Sequence, residues 1–250
     1  MHPSDKPIAL IGAMQEELVA VLACMTGVSC QAVAGRQFWR GHLHGHAVVA
    51  VLSGIGKVAA AMTATVLIEK FQVQCMVFTG VAGGLARHVK VGDVVVATEL
   101  LQHDMDASPL FPKYEVPMLG CARFKSHHAM TALLVQSAQH ALPQAQVHAG
   151  LIISGDQFVS SAAESQRLQR ELPDALAVEM EGAALAQVCR DYGLPLAVVR
   201  TLSDRADDEA HTDFTQFVKD VASQYSAAIV SEFLKRLRLV PNITAANPVV

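Results

Sequence analysis

Two short segments and one further acid carry residue types that could do chemistry. Glu179 and Glu181 stand in Val178-Glu179-Met180-Glu181-Gly182-Ala183-Ala184, and Asp204 ends the run Val198-Val199-Arg200-Thr201-Leu202-Ser203-Asp204. Glu17 follows the apolar run Pro7 to Ile11 through the small turn Gly12-Ala13. A parallel sheet presents such strand ends to a ligand, so these carboxylates suit acid/base work on a small, largely uncharged molecule. Each also has an ordinary structural use. Glu16 and Glu17 would favour the dipole of a helix in its first turn, Glu181 sits where a helix begins, and Asp204 could cap the next segment. Their shared placement at the carboxyl ends of three strands is what those uses leave unexplained.

The elements that must position them follow from the hydrophobic pattern. Strand-like runs occur at Ile8–Ile11, Ala47–Leu52, Cys75–Thr79, Val94–Ala97, Leu151–Ser154, Leu176–Val178 and Leu196–Thr201. Several are apolar on both faces, the pattern of a sheet covered on both sides. Helices are expected at Gln15–Cys24, Lys57–Phe71, His128–His140, Ala162–Glu171, Gly182–Tyr192 and Phe214–Leu237. Gly35 to Leu52 reads as a hairpin turning at Gly45, which makes the sheet of this α/β chain mixed rather than purely parallel. Gln102 to Phe124, rich in Pro and aromatics, is long for a connection and reads as a binding loop or contact surface. No repeat or linker divides the chain, so residues 1–240 are expected to form a single domain and 241–250 a disordered tail.

Composition narrows the class of function. The 250 residues are 52% hydrophobic, enough for an extensive core, and the formal net charge of −4 is spread without a Lys/Arg run. Nucleic acid and anionic membranes are therefore not expected partners. No apolar window is long enough for a transmembrane helix, and the N-terminus lacks a signal-type core. Cys24, Cys30, Cys75, Cys121 and Cys189 form no CxxC pair and read as thiols of a reducing, cytoplasmic compartment.

Other motifs compete for attention and mostly lose it. Gly54-Ile55-Gly56-Lys57-Val58-Ala59 formally fits a dinucleotide turn, yet the next strand, Cys75-Met76-Val77-Phe78-Thr79, ends without the acid such a site wants, and no Ser or Thr follows Lys57 as a P-loop requires. A tight turn bringing main chain near a ligand is the better reading. Thr79-Gly80-Val81-Ala82-Gly83-Gly84 reads as a second small-residue turn whose exposed amides and carbonyls could read the edge of a flat group. His42, His44 and His46 straddle the expected Gly45 turn, and His103-Asp104-Met105-Asp106 lacks defined ligand spacing, so no metal site is expected. Asn242-Ile243-Thr244 fits a glycosylation sequon without a secretory context to use it.

Taken together, Gly12-Ala13-Met14-Gln15-Glu16-Glu17, Ser53 to Ala59, Thr79 to Gly84, Val178 to Glu181 and Ser203-Asp204 resemble, in order and spacing, the bacterial 5′-methylthioadenosine/S-adenosylhomocysteine nucleosidases of the purine nucleoside phosphorylase superfamily. The likeness runs from about Ile8 to Leu237. It implies a three-layer α/β sandwich with a mixed central sheet, a homodimer whose active sites borrow residues across the interface, no cofactor, and a small-molecule nucleoside as substrate. It implies that Asp204 protonates adenine at N7 with Ser203 holding it, that Glu17 positions and deprotonates water, and that Glu181 binds the ribose hydroxyls. Met180 would lie along the ribose, Phe158 would stack on adenine and Val159 would offer main-chain contacts. Met14, Ile55, Val81, Ala82, Gly83, Glu179 and Phe214 would complete the binding surface, Glu179 as framework, with Arg200 supporting the acid.

The substrates so implied are 5′-methylthioadenosine, S-adenosylhomocysteine and 5′-deoxyadenosine. A phosphorylase would present arginine to phosphate, whereas this chain has Phe78 just before Thr79-Gly80 and a carboxylate, Glu17, at the nucleophile position. A non-catalytic nucleoside sensor would have no use for an acid and a base together. Two departures from the family pattern bear on specificity. Val81 stands where many members have Ser, and Asp106 to Lys113 replaces an aromatic and glycine loop, so that Ala107 and Leu110 would line the neighbour's 5′ pocket. A futalosine-type nucleoside differs from the other substrates mainly at that end and stays open as an alternative.

Overall fold

The computed structural model describes residues 6–207, 210–217 and 222–237; the expected tail at 241–250 lies outside them. In chain order the elements are β1 (Ile8–Gly12), α1 (Gln15–Ala23), β2 (Thr26–Val33), β3 (Arg36–Leu43), β4 (His46–Leu52), α2 (Lys57–Glu69), β5 (Cys75–Gly84) and β6 (Val94–Gln102). There follow β7 (Arg123–Lys125), α3 (His128–Ala141), β8 (Val147–Ser154), α4 (Ala162–Glu171), β9 (Ala175–Glu179), α5 (Gly182–Asp191), β10 (Leu196–Asp204), α6 (Ala210–Phe217) and α7 (Ser223–Leu237).

The strands form one ten-stranded mixed sheet between two layers of helices. Period-two alternation explains why it is covered on both faces. Along β1, Ile8 and Leu10 pack with α1, α3 and α7, while Ala9 and Ile11 join the opposite cluster with α2 and α5. β5 repeats the pattern, with Cys75 and Val77 on one face and Met76 and Phe78 on the other.

Several expectations are met and others corrected. The hairpin is present: β3 and β4 pair antiparallel across His44 and Gly45, both at positive φ. His44 and His46 are spent on α7, the first against Ser231 Oγ and the second against the Leu234 carbonyl. Among the described residues no cluster of His, Cys, Asp or Glu could hold a metal. The sequence reading missed β2, an exposed edge strand whose alternation is masked because no helix covers it. The single helix expected at Phe214–Leu237 corresponds to two, α6 and α7. Thr79 to Gly84 is strand, not turn: β5 continues through it, paired parallel with β10 from Met76↔Leu196 to Gly83↔Asp204.

That correction matters for the site. The first half of β5 pairs with β1 as far as Phe78, and its end pairs with β9 at Gly83 and Gly84. Because β5 also pairs with β10, strands β5, β10, β6, β8 and β9 close into a ring, from which β1, β4, β3 and β2 extend as an open sheet. Between Phe78 and Gly83, one edge of β5 is left by β1 and not yet taken by β9. A cavity opens at this parting of the sheet.

Candidate active site

Glu17 enters the cavity from the first turn of α1. Its Oε2 accepts hydrogen bonds from the amides of Ala13 (2.6 Å) and Met14 (2.9 Å), so beside the dipole role expected of it in the first turn it also caps α1. Its Oε1 accepts from the Val81 amide at 3.1 Å, on the unpaired edge of β5. The approach demands glycine: a Cβ at Gly80 would lie 2.5 Å from Glu17 Oε1. Burial pushes the Glu17 carboxyl above its ordinary range, against the pull of the Arg200 charge and three backbone amides.

Glu179 and Glu181 divide the work suggested by their spacing. Glu179 ends β9, accepts from the Gly182 amide at the start of α5 and from Ser154 Oγ, and forms a buried ion pair with Arg200 at 2.6 Å. Arg200, itself stacked 3.7 Å from the Phe78 ring centroid, therefore spends its charge on Glu179. Its guanidinium lies beside Gly80 and Glu17. Glu181 caps α5 with its backbone and points its carboxylate to the start of α2, where the Gly56 amide donates to Oε1 at 2.7 Å.

This bond decides the fate of the Gly54 to Ala59 turn. The amide that a phosphate would need is held by a carboxylate, and the next, Lys57 N–H, is held by Asp156 at 2.7 Å. The main chain does approach the cavity, as the turn reading required, with Gly54 and Gly56 at positive φ.

Asp204 ends β10, which pairs along the other edge of β5, and lines the same cavity. Its Oδ2 accepts from Ser203 Oγ at 2.8 Å and its Oδ1 from the Ala206 amide at 2.8 Å. A Cβ at Gly83 would stand 2.9 Å from Oδ1. Glu17 thus meets β5 at Gly80 and Val81, and Asp204 meets it at Gly83, contact points roughly 7–10 Å apart along an extended strand.

The cavity is lined by Met14, Glu17, Ile55, Val81, Ala82, Gly83, Phe158, Glu179, Met180, Glu181, Ser203, Asp204 and Phe214. Phe158 and Phe214 meet edge to face, ring centroids 5.5 Å apart. Val159, expected to serve through its main chain, packs its side chain into the core cluster that holds Leu85 and Leu101. Ala107 and Leu110 do not line their own chain's cavity, and Leu110 is 84% exposed. Larger surface grooves, by Cys121 to Leu196 and by Arg87 to Leu176, hold none of the four acids. Missed from sequence were Ala13 and Val178 as lining, and Gly56, Gly80 and Ser154 as partners of the acids. Only the glycines carried a signal, as small residues beside a strand end.

Burial and the neighbouring Glu179 charge raise the pKa of Glu181, while Arg200 and the Gly56 amide oppose the rise. A carboxyl whose pKa is higher folded than unfolded binds more protons in the native state. Stability is then greatest near the unfolded value of about 4.5 and declines as pH rises through the raised one. Thermal unfolding of Glu181→Gln should accordingly show a flatter fall in Tm between pH 5 and 8, ending roughly 3–6 °C above the parent at pH 8, equivalent to ~1–2 kcal/mol. A parallel fall in both proteins would remove this carboxyl as its source.

Comparison with known proteins places these features. Residues 7–235 match the family model of the phosphorylase superfamily. A 5′-methylthioadenosine/S-adenosylhomocysteine nucleosidase of Shewanella baltica (strain OS155 / ATCC BAA-1091) is 39% identical over 233 residues, covering 92% of this chain and 97% of that one. The solved 5′-methylthioadenosine/S-adenosylhomocysteine nucleosidase of Neisseria meningitidis, in complex with methylthio-immucillin-A, is 38% identical with a TM-score of 0.88, over 92% of this chain and 99% of that one. A futalosine hydrolase of Helicobacter pylori strain 26695 is similar as well, 35% identical with a TM-score of 0.86, over 93% and 98% of the two chains.

Proposed function

Since the chain belongs to the phosphorylase superfamily, among its 5′-methylthioadenosine/S-adenosylhomocysteine nucleosidases, we propose that the cavity of buried acids hydrolyses the N-glycosidic bond of 5′-thio-substituted adenosines. The products are adenine and the 5′-substituted ribose, and 5′-deoxyadenosine fits the same chemistry. The observation that carries this reading is the placing of Glu17 and Asp204 at separate points of one cavity wall, on the scale that leaves room for a water between an acid and a base.

In this mechanism Asp204 gives a proton to adenine N7, held in place by Ser203 and the Ala206 amide. Departure of neutral adenine leaves an oxocarbenium-like ribose. Glu17 takes a proton from the water that attacks the opposite face, and Glu181 accepts from the ribose hydroxyls as positive charge develops nearby. Phe158 stacks on adenine, Met180 lies along the ribose, and the main chain from Val81 to Gly83 reads the base edge. Arg200, neutralised by Glu179, has little charge to offer a phosphate dianion, and Glu17 would repel one.

Adenine release from 5′-methylthioadenosine in phosphate-free buffer tests the reading. Full activity with free 5-methylthioribose as co-product is expected; strict dependence on phosphate would overturn hydrolysis. The futalosine hydrolase likeness keeps a second substrate class in play, and kcat/KM for the thio-adenosines, 5′-deoxyadenosine and a futalosine-type nucleoside measured side by side separates them.

A homodimer is part of the proposal. Ile55, just before α2, and Val58, in its first turn, are 59% and 78% exposed, and Ile55 also lines the cavity. An apolar face beside an open site suits a partner subunit whose Ala107 and Leu110 would close the 5′ end. The whole is proposed as one nucleosidase domain over residues 1–240. All five cysteines are free, which supports a cytoplasmic home, and among the described residues no helix is long and apolar enough to cross a membrane.

A further inference from the structure

The start of α2 offers two consecutive amides, and each is taken by a different carboxylate. Gly56 N–H holds Glu181, while Lys57 N–H holds Asp156 Oδ1 at 2.7 Å. Asp156 belongs to the loop after β8, two residues before Phe158. Its own amide donates to Asp104 Oδ2 at 2.9 Å, in the turn after β6, and Asp104 Oδ1 receives Lys57 Nζ at 2.6 Å. The three bonds close a circuit: Lys57 backbone to Asp156, Asp156 backbone to Asp104, and Asp104 back to the Lys57 ammonium. Lys57 Nζ also reaches Gln102 Oε1 at 3.1 Å, tying the circuit to the end of β6. The loop is seated closely as well, since any side chain at Gly155 would collide with the buried ring of His103.

We propose that Asp156 is a positioning residue for the reaction: through this circuit with Lys57 and Asp104 it sets the loop that carries Phe158, and so the base-stacking wall, against the same helix end that orients Glu181. The inference rests on the nucleosidase reading for the identity of the base, and on geometry alone for the circuit. Its bonds are partly or fully exposed, where a hydrogen bond or ion pair adds little to global stability. Their effect is local to the cavity mouth. Asp156 touches neither base nor ribose in this assignment and acts only through Phe158.

Calorimetric binding of adenine to the intact protein decides it, because binding requires no turnover. Asp156→Ala is expected to weaken adenine binding about 10-fold and raise KM for 5′-methylthioadenosine by a similar factor, with kcat within about threefold and Tm within about 2 °C of the parent. Asp156→Asn, which keeps an oxygen facing Lys57 N–H, should restore adenine affinity to within about threefold. Unchanged adenine affinity in the alanine variant, equal losses in both variants, or a loss that tracks Tm would each overturn the proposal. If the parent binds adenine but releases none from nucleosides, the nucleosidase reading fails while the ratio of the three affinities still judges the circuit.

Discussion

Asp204→Asn should lower kcat for 5′-methylthioadenosine by 10²- to 10⁴-fold, the usual contribution of one general acid, about 2.7–5.4 kcal/mol of barrier. Asparagine is nearly isosteric and can accept from the Ala206 amide while its NH2 donates to Ser203 Oγ, so the fold and the cavity should be retained. What is lost is the proton for N7. The departing adenine must then leave as an anion, and a largely apolar cavity wall gives that charge little solvation. Binding of adenine and of substrate should change far less than turnover. Single-turnover measurement of adenine release separates the two, and near-parental turnover would sink the assignment of Asp204 as the acid.

Glu17→Gln is the matching test on the nucleophile side. The variant should bind adenosine-type ligands within a few-fold of the parent and yet hydrolyse them 10²- to 10⁴-fold more slowly. Its one acceptor oxygen can serve either the Val81 N–H or the Ala13 and Met14 amides, and it cannot take a proton from water. Because burial raises the pKa of Glu17, the parent's kcat/KM should fall on acidification along a limb displaced upward from the ordinary value of 4.5. Retained hydrolysis in Glu17→Gln would remove Glu17 from the mechanism, whatever the outcome at Asp204.

The two results together bear on the departure at Val81. Its amide, not its side chain, holds Glu17, so the absence of a hydroxyl there leaves the base anchored. The side chain packs against Ala222, with Met14, Phe214 and Phe217 around it, which makes this part of the cavity more apolar.

Much of the fold was legible because its signals are local. Two-faced apolar runs marked β1, β5, β8 and β10, and the period of 3.6 marked α1 to α5 within a few residues of their ends. Where exposure or small residues blurred the period, reading failed: β2 has no buried face, and the Gly- and Ala-rich end of β5 looked like a turn because strand propensity there is low. Its strand character comes from hydrogen bonds to β10, which is distant in sequence.

By itself the sequence determined the acids, their delivery to strand ends, and the local caps that Glu17 and Glu179 satisfy, because capping and periodicity act over three or four residues. Tertiary structure alone decided how each acid is held. Glu179 is paired with Arg200 across the sheet, Glu181 is held by the amide of Gly56, and Glu17 reaches the cavity where β1 leaves the edge of β5 at Phe78. These are pairings between segments far apart in the chain, set by strand order and the closure of the ring, and no spacing along the sequence encodes them.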